Sequence, residues 1–110
     1  MGAFGDVKIA RALLCFSALA ACGPVQSTAY LMDAEVQIEA ARTAQAERYA
    51  PYEWTSANLY YRKAKEEVGY SDYEQAVDFA QKAQKFATAA RDNAMKTTRK
   101  DEPPPVPRAP

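Results

Sequence analysis

Apolar residues recur three and four positions apart along most of this chain, the spacing that lines one face of an α-helix. Between Thr28 and Tyr49 there is neither glycine nor proline, and Leu31, Ala34, Ile38 and Ala41 form one such line, with Glu35, Gln37, Glu39 and Arg42 on other faces. The pattern predicts a first helix over 28–49 that buries a narrow apolar seam. Ala50-Pro51 interrupts it, because proline disfavours helical geometry in the residue before it and fits best at the first position of a new helix. From Pro51 a second line follows, Trp54, Ala57, Tyr61, Ala64 and Val68, opposite Arg62, Lys63, Lys65, Glu66 and Glu67, and it stops at Gly69. Gly69 suits a left-handed C-terminal cap, and Ser71-Asp72-Tyr73-Glu74 has the form of a capping box that starts the next helix.

That third helix is predicted from Asp72 to about Thr97, where Ala76, Ala80, Ala83, Ala87, Ala90 and Ala94 alternate by four and three between Phe79 and Phe86. Alanine at every contact lets another helix backbone approach closely, and it leaves Gln84 off the seam. Asp72 and Glu74 in the first turn and Lys96, Arg99 and Lys100 near the last complement the helix dipole. The fold predicted is all-α, a three-helix antiparallel bundle over 28–100. Residues 101–110 contain five prolines and are predicted to be a disordered, polyproline-like spacer. Trp54, Ala57, Asn58 and Tyr61 with Tyr73, Ala76, Ala80 and Ala83 resemble one tetratricopeptide-type hairpin. A single unit with a longer first helix gives TPR-like packing and not a repeat array, since arrays need about three units to close a core.

The N-terminus has a different pattern. Lys8 and Arg11 precede the apolar run Ala12 to Ala21, which matches an export signal and falls short of the roughly 20 apolar residues of a transmembrane helix. Its end, Leu19-Ala20-Ala21-Cys22, resembles the lipobox of bacterial lipoproteins. The resemblance implies a signal peptide over 1–21, cleavage before Cys22, a diacylglyceryl group on the Cys22 thiol and a lipidated tether over 22–27. Cys15 would leave with the signal. Gly23, standing where inner-membrane retention wants Asp, implies the outer membrane with the domain facing the periplasm.

Composition narrows the chemistry. The chain has 14 basic and 14 acidic residues and no histidine, and both cysteines lie within the first 22 positions. Loss of Lys8, Arg11 and Asp6 leaves 12 basic and 13 acidic residues, a net charge of −1. That balance offers no positive field for nucleic acid. The usual general base, thiol nucleophile and soft metal ligands are missing from everything downstream, so no catalytic residue, metal or cofactor is implied. Glu35/Glu39 and Glu66-Glu67 read as solvated helix faces, because paired carboxylates work only in a shaped, partly dry cleft. Seven tyrosines and one tryptophan in so short a chain are more informative. Tyr49, Tyr52, Tyr60 and Tyr70 do not all fit the seams. Tyr52, Tyr60 and Tyr70 are therefore the candidate contact residues, for a protein partner or for glycan rings, against the plainer reading that such rings roof a small core.

Ala50-Pro51-Tyr52-Glu53-Trp54, Ala57, Tyr60-Tyr61-Arg62-Lys63-Ala64-Lys65, Gly69-Tyr70-Ser71-Asp72-Tyr73 and the run Ala76 to Ala83 together resemble a family of small helical lipoprotein domains of unknown function. Some members are joined to an OmpA-like peptidoglycan-binding domain, which is not found here. The resemblance, over about residues 28–96, implies a fold and an envelope location but no activity. The expected function is that of a non-enzymatic outer-membrane lipoprotein serving as a protein-interaction adaptor or assembly factor. The alternative is an envelope structural protein that touches peptidoglycan directly.

Overall fold

A computed structural model describes residues 3–20 and 22–101. They form α1 (Ala3–Ala20), α2 (Cys22–Thr43), α3 (Ala46–Tyr49), α4 (Pro51–Gly69) and α5 (Tyr73–Asp101). The protein is all-α as expected, and the described residues form five helices where the sequence pattern predicted three over 28–100. The three long helices α2, α4 and α5 pack on one another, and α1 touches only α2. Residues 102–110, most of the expected disordered tail, lie outside the described residues, while Asp101 is helical.

The direction of each helix follows from its contacts. Gly23 meets Tyr73 at one end. Further along, Gln84 Nε2 donates to the Tyr30 carbonyl at 3.0 Å, and Ala41 meets Ala90 and Ala94 at the other end. Helices α2 and α5 are therefore parallel. Helix α4 runs against both, with Asn93 Nδ2 donating to Glu53 Oε1 at 2.8 Å near its start and Tyr60 beside Phe86 and Phe79 further along. All six alanines of the predicted α5 seam are fully buried, as are Ala34, Ala41, Ala57 and Ala64 on the facing helices. Of thirteen buried apolar residues described, only Ile38 is not an alanine. Side chains this small let backbones come close and leave the large residues at the margins of the contact.

Several local expectations are corrected. The predicted helix over 28–49 is broken at Ala44-Gln45, where Gln45 takes φ 59° and the short α3 follows. A left-handed non-glycine residue costs roughly 1–2 kcal/mol. The chain accepts it because the break buries Ala46 and Ala50 against Ala41, Ala90 and Ala94. Ala50 then stands outside helical geometry (φ −141°) and Pro51 opens α4, as the sequence indicated.

The expected tether over 22–27 is helical. Pro24 lies in the first turn of α2, where an amide hydrogen has no intrahelical acceptor to lose. The Pro24 carbonyl accepts from Ser27 Oγ at 3.0 Å and Thr28 Oγ1 at 2.8 Å. Gly23 lets the Tyr73 ring approach closely here, since a Cβ would stand 3.2 Å from it and the ring would have to give by a few tenths of an ångström.

At the α4–α5 turn Gly69 is the last helical residue and not a left-handed cap, a role taken by Ser71 at φ 61°. The Ser71–Glu74 capping box is likewise replaced. Asp72 caps α5, its Oδ1 accepting from the Gln75 amide at 3.1 Å, which satisfies one of the orphan donors of the first turn.

Candidate functional site

Cys22 is the first residue of α2 and is solvent-exposed. The side chains described in α1 stand apart from the core. Leu13, Leu14 and Phe16 of α1 are 63–77% exposed, and the buried residues described all lie between Ser27 and Ala94. Cys15 is exposed on α1. Ala21, the residue at the expected cleavage point, lies outside the described residues. No described helix is long and apolar enough to cross a membrane.

The three candidate tyrosines do not form one site. Tyr52 is 71% exposed near the start of α4, and Tyr70 is 79% exposed just past its end. Eighteen residues of helical rise put them about 27 Å apart along the axis. Tyr70 shares its end of the molecule with Cys22, since Gly23 packs on Tyr73, whereas Tyr52 lies at the far end with α3.

Tyr60, the third candidate, is partly buried and takes part in the packing between α4 and α5. It stacks on Phe86 at 5.5 Å between centroids and on Phe79 at 6.0 Å. These two phenylalanines are seven residues apart on α5, two turns on the same face, and leave a gap that one ring from α4 fills. The seven-residue spacing was visible in the sequence and would have assigned Tyr60. Tyr52 meets the free side of this row edge-on, 6.2 Å from Phe86.

Lys82 covers the outer side of the row, its Nζ 5.8 Å from the Tyr60 centroid and 5.4 Å from that of Phe79. Its ammonium is held above the usual lysine range first by the hydrogen bond to Asp78, 2.8 Å away. Trp54 is partly buried and packs against both clusters of the core, Ala41, Ala46, Ala50, Ala90 and Ala94 on one side and Ile38, Ala57 and Ala87 on the other. The Arg42 guanidinium lies 5.8 Å from its ring centroid. Burial first, and then the neighbouring Glu35 carboxylate, raise the Tyr61 phenol above its ordinary value.

Glu39 is tied to Arg42 at 2.8 Å with both side chains more than half exposed, and Glu35 faces Tyr61. Among the described residues no cluster of three or more His, Cys, Asp or Glu side chains is placed to hold a metal ion. A shallow apolar cleft does occur on the outer side of α2, lined by Pro24, Val25, Thr28, Ala29 and Met32.

These features define a small helical domain with an alanine core, carried behind a separate N-terminal helix. Over residues 29–103 the chain matches the family described as a domain of unknown function, DUF4398, and it belongs to that family. The matched span runs from α2 through α5 and leaves out α1. Comparisons with curated proteins and with solved structures find no match.

Proposed function

We propose that this protein is a non-enzymatic lipoprotein of the outer membrane, a three-helix domain hung from acylated Cys22 that serves as an adaptor or assembly factor for another envelope protein. The observation that carries the reading is the division at Cys22. The buried core described begins at Ser27, and Val7, Ile9, Leu13, Leu14 and Phe16 of α1 are exposed to water, so removal of residues 1–21 takes none of the buried residues described. An exposed thiol at the head of α2 is open to acylation, and several acyl chains on one residue make attachment effectively permanent, at about 0.8 kcal/mol per buried methylene.

Tyr60 is stacked between Phe79 and Phe86, and we assign the partner contact first to the exposed Tyr52, at the end of the domain away from Cys22. Cys22→Ser should abolish acyl labelling and leave precursor uncut at Ala21, because serine offers no thiol for lipid transfer. Unchanged labelling would refute the anchor. Crosslinking in cells should recover a stoichiometric envelope protein that Tyr52→Ala loses while the domain stays folded, its stability reduced by only about 0.5–1.5 kcal/mol for the edge contact with Phe86. Retention of the purified protein on cell-wall sacculi at physiological salt, with no protein partner recovered, would support direct peptidoglycan contact instead.

A further inference from the structure

We propose that the outer face of α2 beds against the lipid surface, so that the domain lies on its α2 side and does not stand on its end. The proposal rests on the reading of Cys22 as the anchor. Val25, Ala29, Met32 and Val36 follow at intervals of four, three and four, a single stripe along the helix. Val25, Met32 and Val36 are 68%, 62% and 64% exposed, while Ser27, Ala34, Ile38 and Ala41 on the other side of the same helix are buried. The stripe begins one turn from Cys22. Its first part forms the apolar cleft of Pro24, Val25, Thr28, Ala29 and Met32. No charged residue occurs from Cys22 to Met32, the first being Asp33.

Two observations select lipid over a second copy of the chain. From Val25 to Val36 the stripe spans about 16 Å, one helix wide, and three large side chains cannot supply the roughly 800 Å² per partner that a stable dimer buries. A bilayer demands no complementary shape. Charge decides the orientation. Around the α4–α5 turn, residues 66–77 carry four acids, Glu66, Glu67, Asp72 and Glu74, and no base, while the next acid, Asp78, is paired with Lys82; this turn lies at the Cys22 end beside Gly23 and Tyr73. Anionic headgroups repel an end-on approach of that turn and accept the uncharged first part of the stripe, Val25 to Met32.

The test uses the full chain, processed and lipidated in cells and reconstituted into phosphatidylcholine–phosphatidylglycerol vesicles with brominated acyl chains. Acylated Cys22 is blocked and Cys15 has left with the signal, so a cysteine introduced as Met32→Cys, Val25→Cys or Leu59→Cys is the sole reactive thiol and carries an environment-sensitive fluorophore. Bromolipid should remove most of the emission at positions 32 and 25 and leave that at 59, an exposed site on α4. Equal quenching at all three, or none at 32 and 25, overturns the proposal, as does efficient crosslinking between two Met32→Cys chains, which would assign the stripe to a second copy. Acyl labelling of the same preparations separates the premises. Unlabelled Cys22 overturns the anchor and this proposal together, and labelled Cys22 with unquenched probes overturns this proposal alone.

Discussion

Trp54→Ala is the substitution that most directly tests how this domain is held together. Trp54 is the one large side chain packed against both core clusters, bridging the break at Ala50 to the middle of α5. A large aromatic ring in such a position removes on the order of 150 Å² from water, which at about 25 cal/mol per Å² corresponds to roughly 4 kcal/mol. Two effects adjust that figure. The ring is only partly buried, so part of that area stays wet in the folded state and the transfer contribution comes down to about 3 kcal/mol, while water entering the space it leaves keeps the cavity penalty small. The Arg42 guanidinium over the ring face adds about 0.5–1 kcal/mol at an exposed site. The expected loss is therefore about 3–4 kcal/mol. For a domain of this size each kcal/mol moves the midpoint by about 4–8 °C, so Tm should fall by at least about 12 °C. Far-ultraviolet circular dichroism on heating is the appropriate assay, because the variant has no tryptophan left to report by fluorescence. Tyr70→Ala, at a ring 79% exposed, is the control and should stay within about 0.5 kcal/mol of wild type. A Trp54 variant that melts with the control would refute the bridging role and make the indole a candidate contact residue.

Ala83→Leu should cost about 1–3 kcal/mol by overpacking the seam between close helices, and the same melting temperature as wild type would show that α5 is wrongly phased. Tyr60→Ala should lose about 2–4 kcal/mol, since it removes two ring contacts as well as buried area, whereas Tyr60→Phe keeps the row and should be nearly neutral; equal effects of the two would mean that the hydroxyl matters and the stacking does not. The Tyr61 phenol is raised above 10.0 by burial and by Glu35, so the folded state holds this proton more tightly than the unfolded chain. Its contribution is fully present below the ordinary tyrosine range and is lost as pH rises through the folded value. Above pH 10 wild type should therefore lose melting temperature faster than Tyr61→Phe, in which the six other tyrosines still titrate, and parallel curves would contradict the shift.

The parts of the fold that the sequence disclosed are those governed by local chemistry. The α5 seam was legible because its six alanines keep one phase over five turns with no competing apolar face, and Pro51 was legible because its missing amide suits only the start of a helix. The parts it concealed are set by contacts between distant residues. Nothing in Ala44-Gln45 marks a break; the left-handed turn at Gln45 is imposed by docking Ala46 and Ala50 onto α5. Cys22-Gly23-Pro24 reads as a helix breaker, yet the first turn tolerates proline and the Tyr73 ring uses the space that glycine leaves. Gln84 appeared off the seam when α5 was read alone. With α2 in place it is half-buried and bonded to the Tyr30 carbonyl, so the α2–α5 contact is wider than an alanine stripe.

The same reasoning explains why the candidate contact surface was harder to read than the fold. Alanines bring helices together but each removes little apolar area, so a core composed almost wholly of them must be closed by larger side chains at its edges. Trp54, Tyr60, Phe79 and Phe86 perform that closure, and on composition alone they are indistinguishable from rings held out for a partner. What separates the two groups is pairing. Tyr60 has a ring on either face, whereas Tyr52 touches the row only by an edge, and Tyr70 lies on the turn beside the anchor end of α2. If the stripe from Val25 to Val36 rests on lipid, α2 is the covered side of the domain, and Tyr52 on α4, at the end away from Cys22, is left open to another protein.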